Sequence, residues 1–396
     1  EILSEKIKIK IRRQINYIAV NYMNNYSDLL HKISYNIDSS HVNYKNMDVD
    51  IFIPENKNEI INVLNLAIEN NKKIIIRGSG TNLVGNVLPP KNSYIIDVSR
   101  LNKIIKLDND IITVESGVIL DDLNAFLEKN NYIFPVNPGS HAAAQIGSMI
   151  ATNASGTRAI KYGKMEEWVE SINILFIDNN KRIQENKLFG ENIKDFLNSE
   201  GILGIITEIN LKIIKKAENT SLDFMKFDTI DELISKTLDL LSKKNELNIS
   251  AIEFIDKKVS SFLNIDEAYY LLVEFENNNG EIKEIEEKKK IWAIRDSCYP
   301  VVASSGYELI EDPQIDLSKI KELILWLENN NIPTFGHIGT GILHPHYKKD
   351  QKELVKEMYN LVKKLEGKVS GEHGIGIKKK EFLNEADKNR FRLLKS

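Results

Sequence analysis

Between Pro138 and Gly163 the chain reads PGSHAAAQIGSMIATNASGTRAIKYG. So many small residues leave too little apolar bulk for an ordinary core element. Such a stretch either packs helices closely through Ala and Gly or lets a flat ligand lie against the backbone. Two further segments favour the ligand. Arg77-Gly-Ser-Gly-Thr-Asn-Leu-Val-Gly-Asn86 follows Lys73-Ile-Ile-Ile, which reads as a buried strand. Consecutive small residues there can turn their N–H groups toward one point and cradle a phosphate. The loop lacks the GK[ST] of a Walker A motif, and Gly85 falls too late for the GxGxxG fingerprint. Ser199-Glu-Gly-Ile-Leu-Gly-Ile-Ile-Thr207 is a glycine turn entering another buried strand.

Around these segments the apolar periodicity alternates between strand and helix. Val49-Asp-Ile-Phe-Ile-Pro54 reads as a strand closed by proline, and 56–71 as a helix carrying Ile60, Val63, Leu64 and Ala67 on one face. Strands are expected at 94–98, 111–115, 171–177 and 203–213, and helices at 119–130 and 229–243. The order strand, helix, strand, glycine turn marks an α/β unit. Composition breaks near Lys215-Lys-Ala-Glu-Asn219. Beyond it, strand-like 251–255 and 268–275 flank a helical stretch. A charged run over 280–293 and helices at 316–330 and 349–366 follow. Residues 24–45 read as a polar, helical lead-in. The expected division is a lead-in at 1–45, a first domain at 46–216 and a second at 217–396.

Composition excludes several classes. A net charge of −4 over 396 residues gives no basic excess for nucleic acid. Cys298 is the only cysteine, which rules out an intramolecular disulfide and a multi-cysteine metal site. No apolar run approaches the ~20 residues of a membrane span, and the first residues lack the apolar core of a signal peptide. A cytoplasmic location is expected, with a peripheral membrane contact of the basic N-terminus left open. Met23 is a candidate start.

Four of the seven histidines lie in two glycine-rich motifs of the back half, Phe335-Gly-His-Ile-Gly-Thr-Gly-Ile-Leu-His-Pro-His-Tyr347 and Gly371-Glu-His-Gly-Ile-Gly376. Imidazole and carboxylate together form an ordinary ligand set for a first-row metal. A lone histidine is more often a satisfied core or surface residue; four among glycines, one beside a glutamate, suit a site.

The three small-residue segments and the two histidine motifs, in this order, resemble the vanillyl-alcohol oxidase superfamily of FAD-linked oxidases. The nearest branch contains glycolate oxidase, D-lactate dehydrogenase and D-2-hydroxyglutarate dehydrogenase. The resemblance runs from about Val49 to the end of the chain. It implies an α+β fold: a two-subdomain PCMH-type FAD-binding domain followed by an α/β cap of the FAD-linked oxidase C-terminal type.

On this likeness the FAD-binding residues are Arg77, Gly78, Ser79, Gly80, Thr81, Asn82, Gly85, Pro138, Gly139, Ser140, Gly147, Asn153, Ser155 and Gly156, with Glu200, Gly201, Gly204, Ile205 and Ile206 toward the adenine or ribose end. The 77–86 loop has no histidine to tether the flavin, so noncovalent FAD is implied. His337, His344 and Glu372 correspond to ligands of a divalent metal, Zn²⁺ or Mn²⁺. His373 corresponds to the general base, and Arg295 to the grip on a substrate carboxylate; a plain ion pair with Asp296 or a neighbour is the other reading of that arginine.

The implied reaction is oxidation of a small D-2-hydroxy acid to the 2-oxo acid, with hydride passing to flavin N5. Ile310 stands where relatives acting on dicarboxylates carry lysine, which favours D-lactate or glycolate. The electron acceptor would be an electron-transfer flavoprotein, a cytochrome, a quinone or oxygen; a homodimer is compatible. Several positions depart from the family pattern. Gly147-Ser148 and Ser155-Gly156 replace glycine pairs, Gly339-Thr-Gly-Ile342 replaces GDGN, and the closing Arg392-Leu-Leu-Lys-Ser396 is shorter than the usual tail. The alternatives are a flavin-binding accessory or electron-transfer subunit without chemistry of its own, and a nonredox FAD enzyme resembling alkylglycerone-phosphate synthase. The histidine motifs speak against both.

Overall fold

The structure is a computed structural model that describes residues 29–42, 46 and 48–383. Most of the expected lead-in and the Met23 position lie outside these residues; within it, Leu29–Tyr35 is helical.

The first layer is a parallel sheet. β1 (Val49–Phe52), β2 (Lys73–Arg77) and β3 (Ser93–Asp97) pair in the order β1-β3-β2. β3 is central and buried along its whole length, as a strand paired on both edges and covered on both faces must be. The helix Lys57–Glu69 covers one face. Asn56 caps it by accepting the Glu59 N–H, and Ile60, Val63, Leu64 and Ala67 are its buried stripe. These side chains meet Phe52, Tyr94 and Ile96. Burying each large apolar side chain contributes about 1.5–3 kcal/mol.

The second layer is antiparallel. β4 (Ile104–Asp108), β5 (Ile111–Glu115), β7 (Val169–Ile177), β8 (Ile183–Phe189) and β9 (Ile205–Lys212) run in the order β4-β5-β9-β7-β8. β6 (Tyr132–Ile133) and β10 (Ile214–Lys215) form a separate pair. The helices Leu120–Glu128 and Ile146–Ala151 add Leu120, Leu123, Ile146 and Met149 to this layer's core.

The back half is one six-stranded antiparallel sheet. β11 (Ser221–Phe227), β12 (Ile249–Ile255), β13 (Tyr269–Phe275), β14 (Leu309–Ile310), β15 (Thr334–His337) and β16 (Ile342–Tyr347) are ordered β11-β13-β12-β15-β16-β14. The helices Ile230–Ser242, Ile320–Asn329 and Lys352–Lys364 pack on one face through Leu233, Leu323 and Met358. A capping box between Thr229 and Glu232 starts the first of them. The other face of the sheet carries the polar residues described below.

The expected strands and helices are present, with ends shifted by a few residues. β15 and β16 fall in the glycine- and histidine-rich segment, where no strand was expected. Nor were β4, β8 and β11 expected from the sequence. Each is an edge strand of its sheet, and β4 and β8 are half-buried or exposed throughout, so neither shows a buried period. The helices Ile146–Ala151 and Cys298–Ser304 were also not expected; the first hides in the small-residue stretch, and the second carries Pro300 in its first turn, where proline is tolerated. Among the described residues no helix is long and apolar enough to cross a membrane.

Candidate active site

The pleat of the back sheet places the chemistry. On β12, Ile252 and Phe254 join the helix-covered core, so the alternating Glu253 and Ile255 face the other way. Phe335 pairs with Ile255 and with His344. Residues directly opposite share a face, so Glu253, Phe335, His337, His344 and His346 all point toward one side. The β15–β16 turn closes through Gly341 at φ +73°, where an added Cβ would lie 2.0 Å from the Ile315 carbonyl oxygen.

Against this face lies the segment 370–379. Asp312 holds it from beneath. Its Oδ2 accepts the N–H groups of Glu372 (2.8 Å) and His373 (2.7 Å) and the Ser370 hydroxyl (2.8 Å), and its Oδ1 meets the Lys379 ammonium. Both Asp312 and Lys379 are fully buried. Burial alone would raise the Asp312 carboxyl, but Lys379 and His373 hold it below the ordinary carboxylate range.

Front-half groups hold the same segment from above. Glu200 accepts the N–H groups of Ile375 (2.7 Å) and Gly376 (2.9 Å). The Val84 carbonyl accepts those of Ile377 (2.9 Å) and Lys378 (3.2 Å), and the Lys164 ammonium donates to the Gly371 carbonyl at 2.6 Å.

Within this frame His337, His344 and Glu372 converge, each offering one ligand atom within 4.8 Å of the others. Glu372 Oε2 is 3.3 Å from His337 Nε2 and 3.7 Å from His344 Nε2. That oxygen is buried and makes no hydrogen bond among the described residues. Two imidazole nitrogens and an unsatisfied carboxylate oxygen aimed at one point fit a divalent cation. Burial opposes charge on His337, but Glu253 and Glu372 outweigh it and lift the ring to about 9. Burial drives His344 well below the ordinary value. Burial would raise Glu372, yet the His337 imidazole beside it pulls it below the usual carboxylate range.

His373 stacks on His344, with ring centroids 5.1 Å apart and planes 13° from parallel. Burial lowers its pKa despite Asp312, whose Oδ1 is 3.6 Å from Nδ1. The ring is therefore neutral and able to accept a proton near pH 7. Arg295, buried at the end of the helix Ile285–Asp296, donates Nε–H to Glu253 at 2.7 Å. Its partner is thus Glu253 rather than Asp296. Its guanidinium carbon sits 5.2 Å from the Phe335 ring centre. Among the described residues its two terminal nitrogens have no hydrogen-bond partner.

A cavity of about 530 Å³ joins this cluster to the small-residue segments. Gly78, Ser79, Gly80, Thr81 and Asn82 line it, as do Pro138, Gly139, Ser140, Gly147, Glu200, Gly201, Gly204 and Ile206; at the other end lie Arg295, His337, His344, Glu372 and His373. The wall suits a flat, polar cofactor. The Ser116 hydroxyl and Gln145 Oε1 are buried there without a hydrogen-bond partner among the described residues. A Cβ on Gly78 would lie 2.3 Å from Ser148 Oγ, and one on Gly147 2.6 Å from Ser116 Cβ.

The other expected cofactor residues do not line the cavity. Arg77 turns away and donates to the carbonyls of Tyr35 and Ile37. Gly85 packs against Ile377. Asn153 accepts the Glu166 N–H, Ser155 is fully buried, and Gly156 abuts the Asn137 carbonyl, so these three shape the wall from behind. Ile205 belongs to the core under the first sheet. Glu200 lines the cavity, but its carboxylate serves the 375–376 amides. Sequence reasoning missed Glu253, Asp312 and Lys379. A charge in the middle of an otherwise apolar buried strand, as in Ile252-Glu253-Phe254, was the available signal for the first.

Residues 50–181 match the family described as FAD binding domain, and residues 282–396 that of the FAD linked oxidases, C-terminal domain. The chain is 24% identical over 382 residues to the mitochondrial D-2-hydroxyglutarate dehydrogenase of Danio rerio, covering 83% of this chain and 72% of that one. It is 26% identical over 389 residues to the D-lactate dehydrogenase of Anaerostipes hadrus, covering 83% and 81%. To the glycolate oxidase subunit GlcD of Bacillus subtilis it is 26% identical over 397 residues, covering 86% and 83%. Among solved structures, an alkyldihydroxyacetonephosphate synthase superposes with a TM-score of 0.69 at 19% identity, covering 93% of this chain and 79% of that one, a likeness of fold.

Proposed function

The chain belongs to the FAD-linked oxidases, and from that premise we propose that it oxidises a small D-2-hydroxy acid to the 2-oxo acid. The observation that carries this reading is the shared cavity: the cradle of Gly78 to Asn82 and the cluster of His337, His344, Glu372, His373 and Arg295 open into one space. Relatives named for D-lactate, glycolate and D-2-hydroxyglutarate support it.

Each residue has a role its chemistry suits. The terminal nitrogens of Arg295 grip the substrate carboxylate through paired hydrogen bonds. His373, neutral through burial, takes the hydroxyl proton. His337, His344 and Glu372 would hold a divalent metal, Zn²⁺ or Mn²⁺, which supplies Lewis acidity toward the hydroxyl. FAD, when bound along Gly78–Asn82 and Pro138–Gly147, supplies the acceptor for the Cα hydride. The electron acceptor would be an electron-transfer flavoprotein, a cytochrome, a quinone or oxygen.

Among these hydroxy acids D-lactate and glycolate are favoured. Tyr299, Pro300, Ile310 and Phe335 line the cavity, and Arg295 is the one lysine or arginine among its lining residues. Among the described lining residues a second carboxylate would find no further lysine or arginine.

The test is anaerobic mixing of FAD-loaded protein with D-lactate, L-lactate, glycolate and D-2-hydroxyglutarate while flavin absorbance is followed. Rapid bleaching by D-lactate or glycolate is expected. Firmly bound flavin bleached by none of the four would overturn the reading.

A further inference from the structure

Glu253 is completely buried, and its carboxylate touches both ends of the proposed chemistry. His337 Nδ1 lies 2.7 Å from one oxygen and 3.0 Å from the other, and Arg295 Nε lies 2.7 Å from the second. An ionised carboxylate accepts hydrogen bonds and cannot donate them. The Arg295 Nε–H can only donate, so the Glu253 oxygen it meets accepts, and the other oxygen faces His337 Nδ1 at 2.7 Å. His337 thus turns Nδ1 to Glu253 and leaves Nε2 as the nitrogen that faces Glu372, 3.3 Å away. Nε of Arg295 is spent on the same acid, so only its two terminal nitrogens remain to grip a ligand end-on.

We propose that Glu253 is a positioning residue for both parts of the site, setting the tautomer and aim of the metal-side imidazole of His337 and the aim of the carboxylate-gripping guanidinium of Arg295. The proposal rests on the hydroxy-acid reading above. A carboxylate behind a ligating histidine fixes ring orientation and strengthens the ligand. Here one acid does this and also ties the ring to the arginine, since both bond to a single rigid plane of three atoms. A role in stability alone accounts poorly for it. Buried ion pairs are often no better for stability than apolar residues of similar volume, and β12 is otherwise apolar around this position, with Ile252, Phe254 and Ile255 as neighbours.

The experiment uses the FAD-loaded protein and the Glu253→Gln and Glu253→Asp variants. Two quantities are read: Zn²⁺ affinity by competition with a chromophoric chelator, and KM for whichever of D-lactate, glycolate and D-2-hydroxyglutarate reduces wild-type flavin fastest. A Gln side chain can accept from one partner only by turning its amide donor toward the other. Glu253→Gln should therefore weaken Zn²⁺ binding by about 10- to 100-fold and raise KM in the same protein. Arg295→Ala should raise KM and leave Zn²⁺ affinity within about twofold of wild type.

Glu253→Asp keeps the charge but falls one carbon short, and it covers the case in which the Gln variant does not fold. It too should lose Zn²⁺ affinity and raise KM. Wild-type Zn²⁺ affinity and KM in a folded variant would overturn the assignment, even if its melting temperature fell. If the wild-type protein itself binds no Zn²⁺ and no hydroxy acid bleaches its flavin, the hydroxy-acid reading fails and takes this one with it. If wild type does both and the variants match it, Glu253 alone is refuted.

Discussion

The carboxylate of Glu200 accepts the backbone N–H groups of Ile375 and Gly376, at 2.7 and 2.9 Å, two and three residues beyond His373. A hydrogen bond to a charged group contributes about 1.5–3 kcal/mol. Glu200→Ala should thus cost about 2 kcal/mol or more in the unfolding free energy of the FAD-loaded protein. Amide exchange over 371–378 should accelerate at the same time. Exchange in that segment matching wild type would show that Glu200 does not hold it.

His373→Ala removes the proposed base. Its ring contacts His344 and Asp312 and is no part of the glycine cradle. Flavin reduction by the best hydroxy acid should slow by about 10²- to 10⁴-fold, while the flavin content of the purified variant stays at the wild-type level. A variant reducing its flavin within tenfold of wild type would remove His373 from the mechanism.

Chelation should separate the two cofactors. Dialysis against a strong chelator should abolish flavin reduction without releasing FAD, and Zn²⁺ or Mn²⁺ should restore it. In His344→Ala the added metal should fail to do so, because only His337 and Glu372 remain of the converging set. Full activity in exhaustively chelated protein would refute the metal assignment.

His346 gives a dependence on pH. It is fully buried, its Nδ1 lies 3.1 Å from the Tyr307 carbonyl oxygen, and Nε2 has no hydrogen-bond partner among the described residues. Burial drops its pKa to about 3, against the partial support of that carbonyl. An unfolded histidine takes up a proton near 6.5. Between these values the unfolded chain binds a proton that the folded chain does not, so stability falls as pH falls from about 6.5 toward 3 and is level above 7. By pH 5 this residue alone costs about 2 kcal/mol. Urea unfolding at pH 7 and pH 5 should show wild type losing that much more than His346→Phe. Parallel losses in the two proteins would exclude the effect.

What the sequence revealed follows from where the signals are local. Glycine loops, histidines clustered among glycines and amphipathic helices each announce themselves within a dozen residues. Arg77 and Ile205 do not line the cavity; the strand period gives two faces and does not say which one meets it. For Arg77 the answer came from the carbonyls of Tyr35 and Ile37, some forty residues earlier in the chain. Glu253 reaches His337 across 84 positions, and Asp312 reaches Lys379 across 67. Pairings at that distance are set by sheet register and leave no local mark. The edge strands β4 and β8 were missed for the opposite reason: their local pattern is weak because solvent covers much of them.

The segment 370–379 is gripped by Asp312 on one side and by Lys164, Glu200 and Val84 on the other. The proposed proton acceptor is thereby mounted on a seam, and each half of the chain supplies part of its fastening. Parting the halves by a small angle would leave every sheet intact and still withdraw His373 from the cradle. Inactivation on mild heating should then precede any loss of helix or strand signal, and activity becomes a gauge of whether the two halves are closed on one another.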